Sequence, residues 1–202
     1  MSATKKYRIN EIFYSVQAEG RNAGRPAVFV RFAGCNLSCP FCDTNHEPYT
    51  EMTQEQIESE VARLDSHNAN NKPSAMVVFT GGEPTLQLTD DCEFCAGRFR
   101  AMETNGILSA PSWIDWVTIS PKTKLTEEQW KRAHELKLLY GQFNEQYAKE
   151  LGERASSLGI PCYMQPMADA EGRFNHAPVI DFCKRNPLWT VSLQWHKLLN
   201  IR

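Results

Sequence analysis

Three cysteines share one short stretch, Gly34-Cys35-Asn36-Leu37-Ser38-Cys39-Pro40-Phe41-Cys42-Asp43-Thr44. Their spacing, C-x3-C-x2-C, lets three thiolates hold three corners of a 4Fe-4S cube. Electron-transfer clusters ordinarily take four cysteines, so a set of three leaves one iron for a ligand that is not protein. A second pair, Cys92-x-x-Cys95, opens a competing chemistry. Cys39/Cys42 and Cys92/Cys95 could together bind a structural zinc ion, although the pairs are farther apart than in common zinc ribbons and Cys35 is left over. Cys162 and Cys183 sit in apolar patterns and read as core thiols. Seven cysteines is an odd count, and residues 1–10 lack the apolar run of a secretory signal. Free thiols, not a disulfide framework, are expected.

The elements that must position these groups alternate in type. Apolar, β-branched or aromatic runs over 27–32, 75–80, 99–103, 116–120, 135–140, 160–165 and 189–193 predict strands. Thr53 and Gln56 form a capping-box pattern, and Ile57, Val61 and Leu64 recur at helical spacing, which predicts a helix over 53–64. Further helices are expected over 86–95, 144–158 and 177–184. Strands separated by helices or crossovers imply an α/β domain with a mostly parallel sheet of about six strands, one domain spanning 1–202. Ligands of such folds collect at the carboxyl ends of the strands. Those ends carry Gly34-Cys35, Thr80-Gly81-Gly82-Glu83, Glu103-Thr104-Asn105-Gly106, Ser120-Pro121-Lys122 and Gln165-Pro166. Each alone reads as a turn; together they are expected on one rim.

Composition narrows the class. A chain of 202 residues, 42% apolar and 23% charged, buries about 70% of its unfolded surface and needs no staples. With 22 basic and 24 acidic residues, net −2, it carries no basic excess for direct nucleic-acid contact. No segment is apolar for long enough to span a bilayer. The expected place is the cytoplasm.

The cysteine loop, with Phe41 before its third cysteine and Thr80-Gly81-Gly82-Glu83-Pro84 after the next strand, resembles the signature of the radical S-adenosylmethionine superfamily. In that superfamily the cofactor's amino and carboxylate groups chelate the open iron. Gly81 and Gly82 would let backbone approach the ammonium group closely. Glu11-Ile12-Phe13, Gln17-Ala18-Glu19-Gly20, Arg31-Phe32-Ala33-Gly34-Cys35, Cys42-Asp43-Thr44, Glu103-Thr104-Asn105-Gly106, Ser120-Pro121-Lys122, Gln165-Pro166-Met167 and His196-Lys197-Leu198-Leu199-Asn200-Ile201 narrow the likeness. From about residue 9 to its end, the chain is similar to the 7-carboxy-7-deazaguanine synthase family.

The resemblance implies a partial, open radical-SAM barrel with a reduced set of helices, usually a homodimer. It implies conversion of 6-carboxy-5,6,7,8-tetrahydropterin to 7-carboxy-7-deazaguanine with loss of ammonia. A 5′-deoxyadenosyl radical would abstract hydrogen at C6 before the ring contracts. The implied cofactors are a 4Fe-4S cluster on Cys35, Cys39 and Cys42, S-adenosyl-L-methionine, and Mg2+ on Thr44. Phe41, Cys42, Asp43, Gly82, Glu103, Ser120, Pro121, Lys122, Gln165, Pro166, Met167 and Ala168 would border the nucleoside cofactor. Val16, Gln17, Ala18, Glu19, Arg31, Thr80, His196 and the terminal carboxylate of Arg202 would contact substrate. An electron donor such as a flavodoxin is implied; nucleic acid and membrane are not.

Each residue also has an ordinary structural reading. Arg31, alone in an apolar strand, must find a partner if buried: a carboxylated ligand or a salt bridge. Thr44 could cap a turn, Glu103 could be a solvated turn carboxylate, Lys122 could lie on the surface and His196 could be a core histidine. The chain departs from the family at Ala18, where glycine is usual, and at Trp195, where a smaller residue is usual beside the substrate end. The 86–102 segment is short. Two alternatives stay open at this point: an activase of glycyl-radical enzymes, and a non-enzymatic four-cysteine zinc module.

Overall fold

The computed structural model describes residues 4–66, 74–168 and 173–201. One nine-stranded sheet organises them, in the order β3-β1-β2-β4-β5-β6-β7-β8-β9. Its strands are β1 (Lys6–Val16), β2 (Pro26–Phe32), β3 (Thr50–Thr53), β4 (Met76–Gly81), β5 (Arg100–Thr104), β6 (Trp116–Ile119), β7 (Glu135–Leu139), β8 (Cys162–Gln165) and β9 (Trp189–Val191). From β2 to β9 every neighbouring pair is parallel. β1 runs antiparallel to both β2 and β3. The helices are α1 (Gln54–Leu64), α2 (Glu127–Arg132), α3 (Glu145–Ser157), α4 (His176–Arg185) and α5 (Trp195–Leu199). The architecture is the expected open, mostly parallel α/β sheet with few helices. It has more strands than the six expected because the N-terminal ribbon of β1 and β3 extends one edge. Among the described residues no helix is long and apolar enough to cross a membrane.

Side-chain alternation divides the sheet into two environments. Val28, Val30, Phe32, Val77, Phe79, Met102, Val117, Leu136, Leu138 and Met164 form the main core, together with Ile57 and Val61 of α1, Leu151 and Ala155 of α3, and Val179 and Phe182 of α4. The other face carries a small apolar cluster, Phe13, Ala27, Phe29, Met76, Val78 and Ala101, and is polar beyond it. Because both faces are covered, the central strands read as near-continuous apolar runs. β1 changes face along its length: Tyr7 and Ile9 belong to the main core but Phe13 to the second cluster. A register shift between Ile9 and Glu11 accounts for this, since one extra residue moves every later side chain to the other face.

Local signals behave as their chemistry requires. Thr53 caps α1 in a reciprocal capping box with Gln56, and Thr126 caps α2 the same way with Gln129. The helix expected over 86–95 does not form. A single 3-10 turn over Pro84–Leu86 is followed by turns. There the Cys92 thiol accepts from the Thr89 N–H and donates to the Thr89 carbonyl, both at 3.2 Å, and Cys95 takes a positive φ of 52°. Such local side-chain bonds compete with helix.

Candidate active site

Loops at the carboxyl ends of β2, β4, β5, β6 and β8 converge on one cavity of about 360 Å3, the size of a small-molecule site. The loop after β2 carries the three cysteines. It is anchored by Gly34 N–H to the His46 carbonyl (3.0 Å) and by Glu83 N–H to the Gly34 carbonyl (2.9 Å). A Cβ built on Gly82 would stand 1.9 Å from that carbonyl oxygen, so only glycine lets the β4 corner meet the cysteine loop. The missing side chain at Gly82 thus has a packing reason of its own, the close approach of Gly34, while Gly82 also lines the cavity. Glu83 is fully buried and ties three chain segments together. It accepts from Thr85 N–H and hydroxyl (3.1 and 2.6 Å), from the Thr104 hydroxyl (2.8 Å) and from Asn105 N–H (2.8 Å).

Cys35, Cys39 and Cys42 are free and all line the cavity. Cys92 and Cys95 are buried in the main core, which overturns the four-cysteine zinc reading. Among the described residues no three His, Cys, Asp or Glu side chains converge on a single-ion site. A cube, in which each thiolate takes a different iron, asks for no such convergence. Three free thiols on one loop, with the other four cysteines in the core, therefore fit a cluster with one open iron. Burial pushes the Cys35 thiol up, and pushes Cys95 and Cys162 up to about 12. Lys122 lies over the Phe41 ring at 5.2 Å and donates to Gln142 Oε1 at 3.3 Å. Burial lowers its pKa while the three thiols work the other way. Asp43 is paired with Lys197 of α5, whose ammonium also lies 5.8 Å from the Phe174 ring.

The far wall is built from inward-facing positions of the strands. Arg31 donates from Nε to Glu11 (2.8 Å) and lies over Phe13; its terminal amino groups carry no hydrogen bond within the described residues. The salt-bridge and ligand readings of Arg31 are thus compatible. Glu103 accepts from Gln17 Nε2 (3.2 Å) and the Thr80 hydroxyl (2.8 Å). Gln17 in turn accepts from Ala18 and Glu19 N–H (2.8 and 3.2 Å), fixing the turn that follows β1. Glu19 pairs with Lys137 and accepts from Gln194 Nε2 at 3.0 Å. Burial works against its charge, but Lys137 and the amide donors hold it down to about 2. His196 is kept below the usual imidazole range by burial, against the pull of Glu19. Gln165 lines the cavity, is 1% exposed, and its Nε2 has no hydrogen-bond partner. A buried unsatisfied donor is costly; this one lies beside the Glu19 carboxylate and helps keep it charged without reaching hydrogen-bond distance.

The structure thus brings Val16, Gln17, Ala18, Glu19, Arg31, Phe41, Asp43, Thr44, Thr80, Gly82, Glu103, Ser120, Lys122, Gln165, Pro166, Met167, Ala168 and His196 together with the cysteines around one cavity. Pro121 is not on the wall; its carbonyl accepts from Gln142 Nε2 at 2.7 Å. Arg202 lies outside the described residues. Trp195 does not line the cavity but faces Gly24, while its N–H donates to the Ala18 carbonyl (3.3 Å). Of the two family departures, only Ala18 reaches the wall. Sequence reasoning gave no role to Lys137, Gln194 and Lys197, which also line it. The alternation Glu135-Leu136-Lys137-Leu138 was the available signal for Lys137.

Comparison with known proteins fits this geometry. The radical SAM superfamily model matches residues 29–161. The chain is 42% identical to the 7-carboxy-7-deazaguanine synthase of Bacteroides thetaiotaomicron, over 96% of this chain and 98% of that protein. It is 38% identical to the protein of the same name from Bradyrhizobium diazoefficiens, over 97% and 99%. The crystal structure of QueE from Escherichia coli matches with a TM-score of 0.70 at 25% identity, over 94% of each chain.

Proposed function

This chain is a radical SAM enzyme belonging to the 7-carboxy-7-deazaguanine synthase family, and we propose that it converts 6-carboxy-5,6,7,8-tetrahydropterin to 7-carboxy-7-deazaguanine with loss of ammonia. One observation carries the reading. A single cavity is lined both by three free thiols and by Arg31, Glu19 and His196, groups suited to a carboxylated heterocycle.

The family brings a 4Fe-4S cluster and S-adenosylmethionine; when bound, they supply a carbon radical able to take hydrogen from the substrate. Cys35, Cys39 and Cys42 would hold the cluster. Phe41, Asp43, Gly82, Ser120, Lys122, the unsatisfied amide of Gln165 and Pro166, Met167 and Ala168 would border the nucleoside. Arg31 would take the substrate carboxylate with its terminal amino groups, as a planar fork does best. Gln17, Glu19, Thr80, Glu103 and His196 would orient the ring. Thr44 would offer one hard oxygen to Mg2+, which keeps several waters and draws others from substrate. Trp195 N–H on Ala18 ties the α5 segment to the turn after β1, and Lys197 on Asp43 ties it to the cysteine loop; together these segments would limit water at the reacting centre. Family likeness further supports a homodimer, a flavodoxin-type electron donor and a cytoplasmic place. An activase acting on another protein is disfavoured by the name that the relatives carry.

Anaerobic incubation of cluster-reconstituted protein with S-adenosylmethionine, reductant, Mg2+ and the carboxypterin should yield the deazaguanine by mass spectrometry. Absence of that product under cofactor turnover sinks the reading. Thr44→Ala should lose most of the Mg2+ stimulation while still binding the cofactor.

A further inference from the structure

Lys137 has no role in the assignment above, yet it stands on the cavity wall beside Glu19. It occupies the middle of β7, and its ammonium meets Glu19 Oε2. The other carboxylate oxygen, Oε1, accepts from Gln194. Both side chains are nearly covered, 14% and 12% exposed. Glu19 is therefore gripped from two directions, by a strand and by the segment entering α5. A buried ion pair seldom adds net stability over an apolar pair of equal volume, so packing alone does not explain a lysine here. The Gln165 amide also faces the carboxylate but is not within hydrogen-bond distance, so each Glu19 oxygen keeps a second lone-pair position, which suits parallel N–H donors.

We propose that Lys137 is a positioning residue that holds Glu19 ionised and aimed into the cavity, as the acceptor for the paired N–H donors of a cyclic guanidine edge on the substrate. This rests on the pterin reading above. The charged and titratable groups facing the pair are Glu103 on β5, Glu135 on β7, Lys122 after β6 and His196 on α5. With Lys137 removed, burial and the two nearby carboxylates would favour a proton on Glu19. A neutral carboxyl cannot accept two donors side by side.

The test uses 7-carboxy-7-deazaguanine, which bears the same guanidine edge, in equilibrium dialysis against cluster-reconstituted protein from pH 6 to 9. K137M should raise Kd on the order of 30-fold at pH 7, and its binding should weaken further toward low pH where wild type stays flat. K137R, which keeps the charge, should remain within about 5-fold. Adding K137M to E19Q should cause no further loss, because the charge that Lys137 serves is already gone. An unchanged Kd and pH profile in K137M, or additive losses in the double variant, overturns the proposal. If K137M alone fails to fold, the double variant, which carries no orphaned charge, supplies the comparison with E19Q. Wild type that makes no deazaguanine refutes the pterin reading; productive wild type beside an indifferent K137M refutes only the role of Lys137.

Discussion

Gly82→Ala should damage the cysteine loop without touching a cysteine. The added Cβ would lie 1.9 Å from the Gly34 carbonyl oxygen and 2.5 Å from its carbon, against ordinary contacts of about 3.5 Å. Flexible side chains could yield, but both obstacles are backbone. The loop must therefore move by upwards of about 1 Å. That carbonyl accepts from Glu83 N–H at 2.9 Å, and a shift of that size takes the bond past hydrogen-bonding distance. The neighbouring bond from Gly82 N–H to the Phe32 carbonyl, also 2.9 Å, is strained with it. Two hydrogen bonds at about 1 kcal/mol each and overpacking at about 1–3 kcal/mol give roughly 3–5 kcal/mol. At about 2–4 °C per kcal/mol for a chain of this size, the apo protein should melt roughly 6–20 °C lower. Iron content after reconstitution should fall as well, because Cys35 follows Gly34 directly. Gly141→Ala serves as the control. Gly141 has φ +91° but nothing within 4 Å of a built Cβ, so backbone strain of about 1–2 kcal/mol is its whole effect. A Gly82→Ala protein that melts with Gly141→Ala and binds full iron would refute the welded-loop argument.

Other consequences are simpler to read. Iodoacetamide at pH 8 should label Cys35, Cys39 and Cys42 in metal-free protein and spare Cys92, Cys95, Cys162 and Cys183. The latter four are buried, and Cys95 and Cys162 are pushed up to about 12. Peptide mass spectrometry decides, and labelled core thiols would contradict the assignment. Alanine at Cys35, Cys39 or Cys42 should abolish the brown absorbance of the reconstituted protein, whereas alanine at Cys92 should leave it. Stability should fall on acidification below about pH 6.5. Burial lowers the pKa of His134, and its Nδ1 accepts from Val117 N–H at 3.1 Å only while neutral. Because the unfolded chain takes the proton at higher pH than the folded one, this stability is present above the unfolded pKa and is lost as pH falls toward the folded one. Urea midpoints from pH 7 to 5 should show up to about 1.4 kcal/mol per pH unit from this group, and His134→Gln should flatten that part of the slope.

What the sequence disclosed, and what it hid, follows from the range of each interaction. β2 and β4 were legible because burial on both faces makes them nearly continuous apolar runs, and α1 was legible because its capping box is local. β1 was not, because the register shift between Ile9 and Glu11 breaks the alternation that would have marked it. β3, a polar four-residue edge, earns its place only by pairing with β1. α2 carried the same capping-box signal as α1 but is only six residues long. In the site, each motif loop could be read because it follows a strand at once. Lys137 with Glu19 and Lys197 with Asp43 could not, being 118 and 154 residues apart; spacing says nothing about such partners. The Gly-Gly-Glu segment shows why motif and fold are hard to separate here. Its glycine admits the cysteine loop, its buried glutamate fastens β4 to the end of β5, and both face outcomes that look chemical when they fail. A cluster lost from a Gly82 variant whose apo protein also melts early would therefore report a displaced Gly34 carbonyl, and a cluster lost at an unchanged apo melting temperature a missing ligand contact.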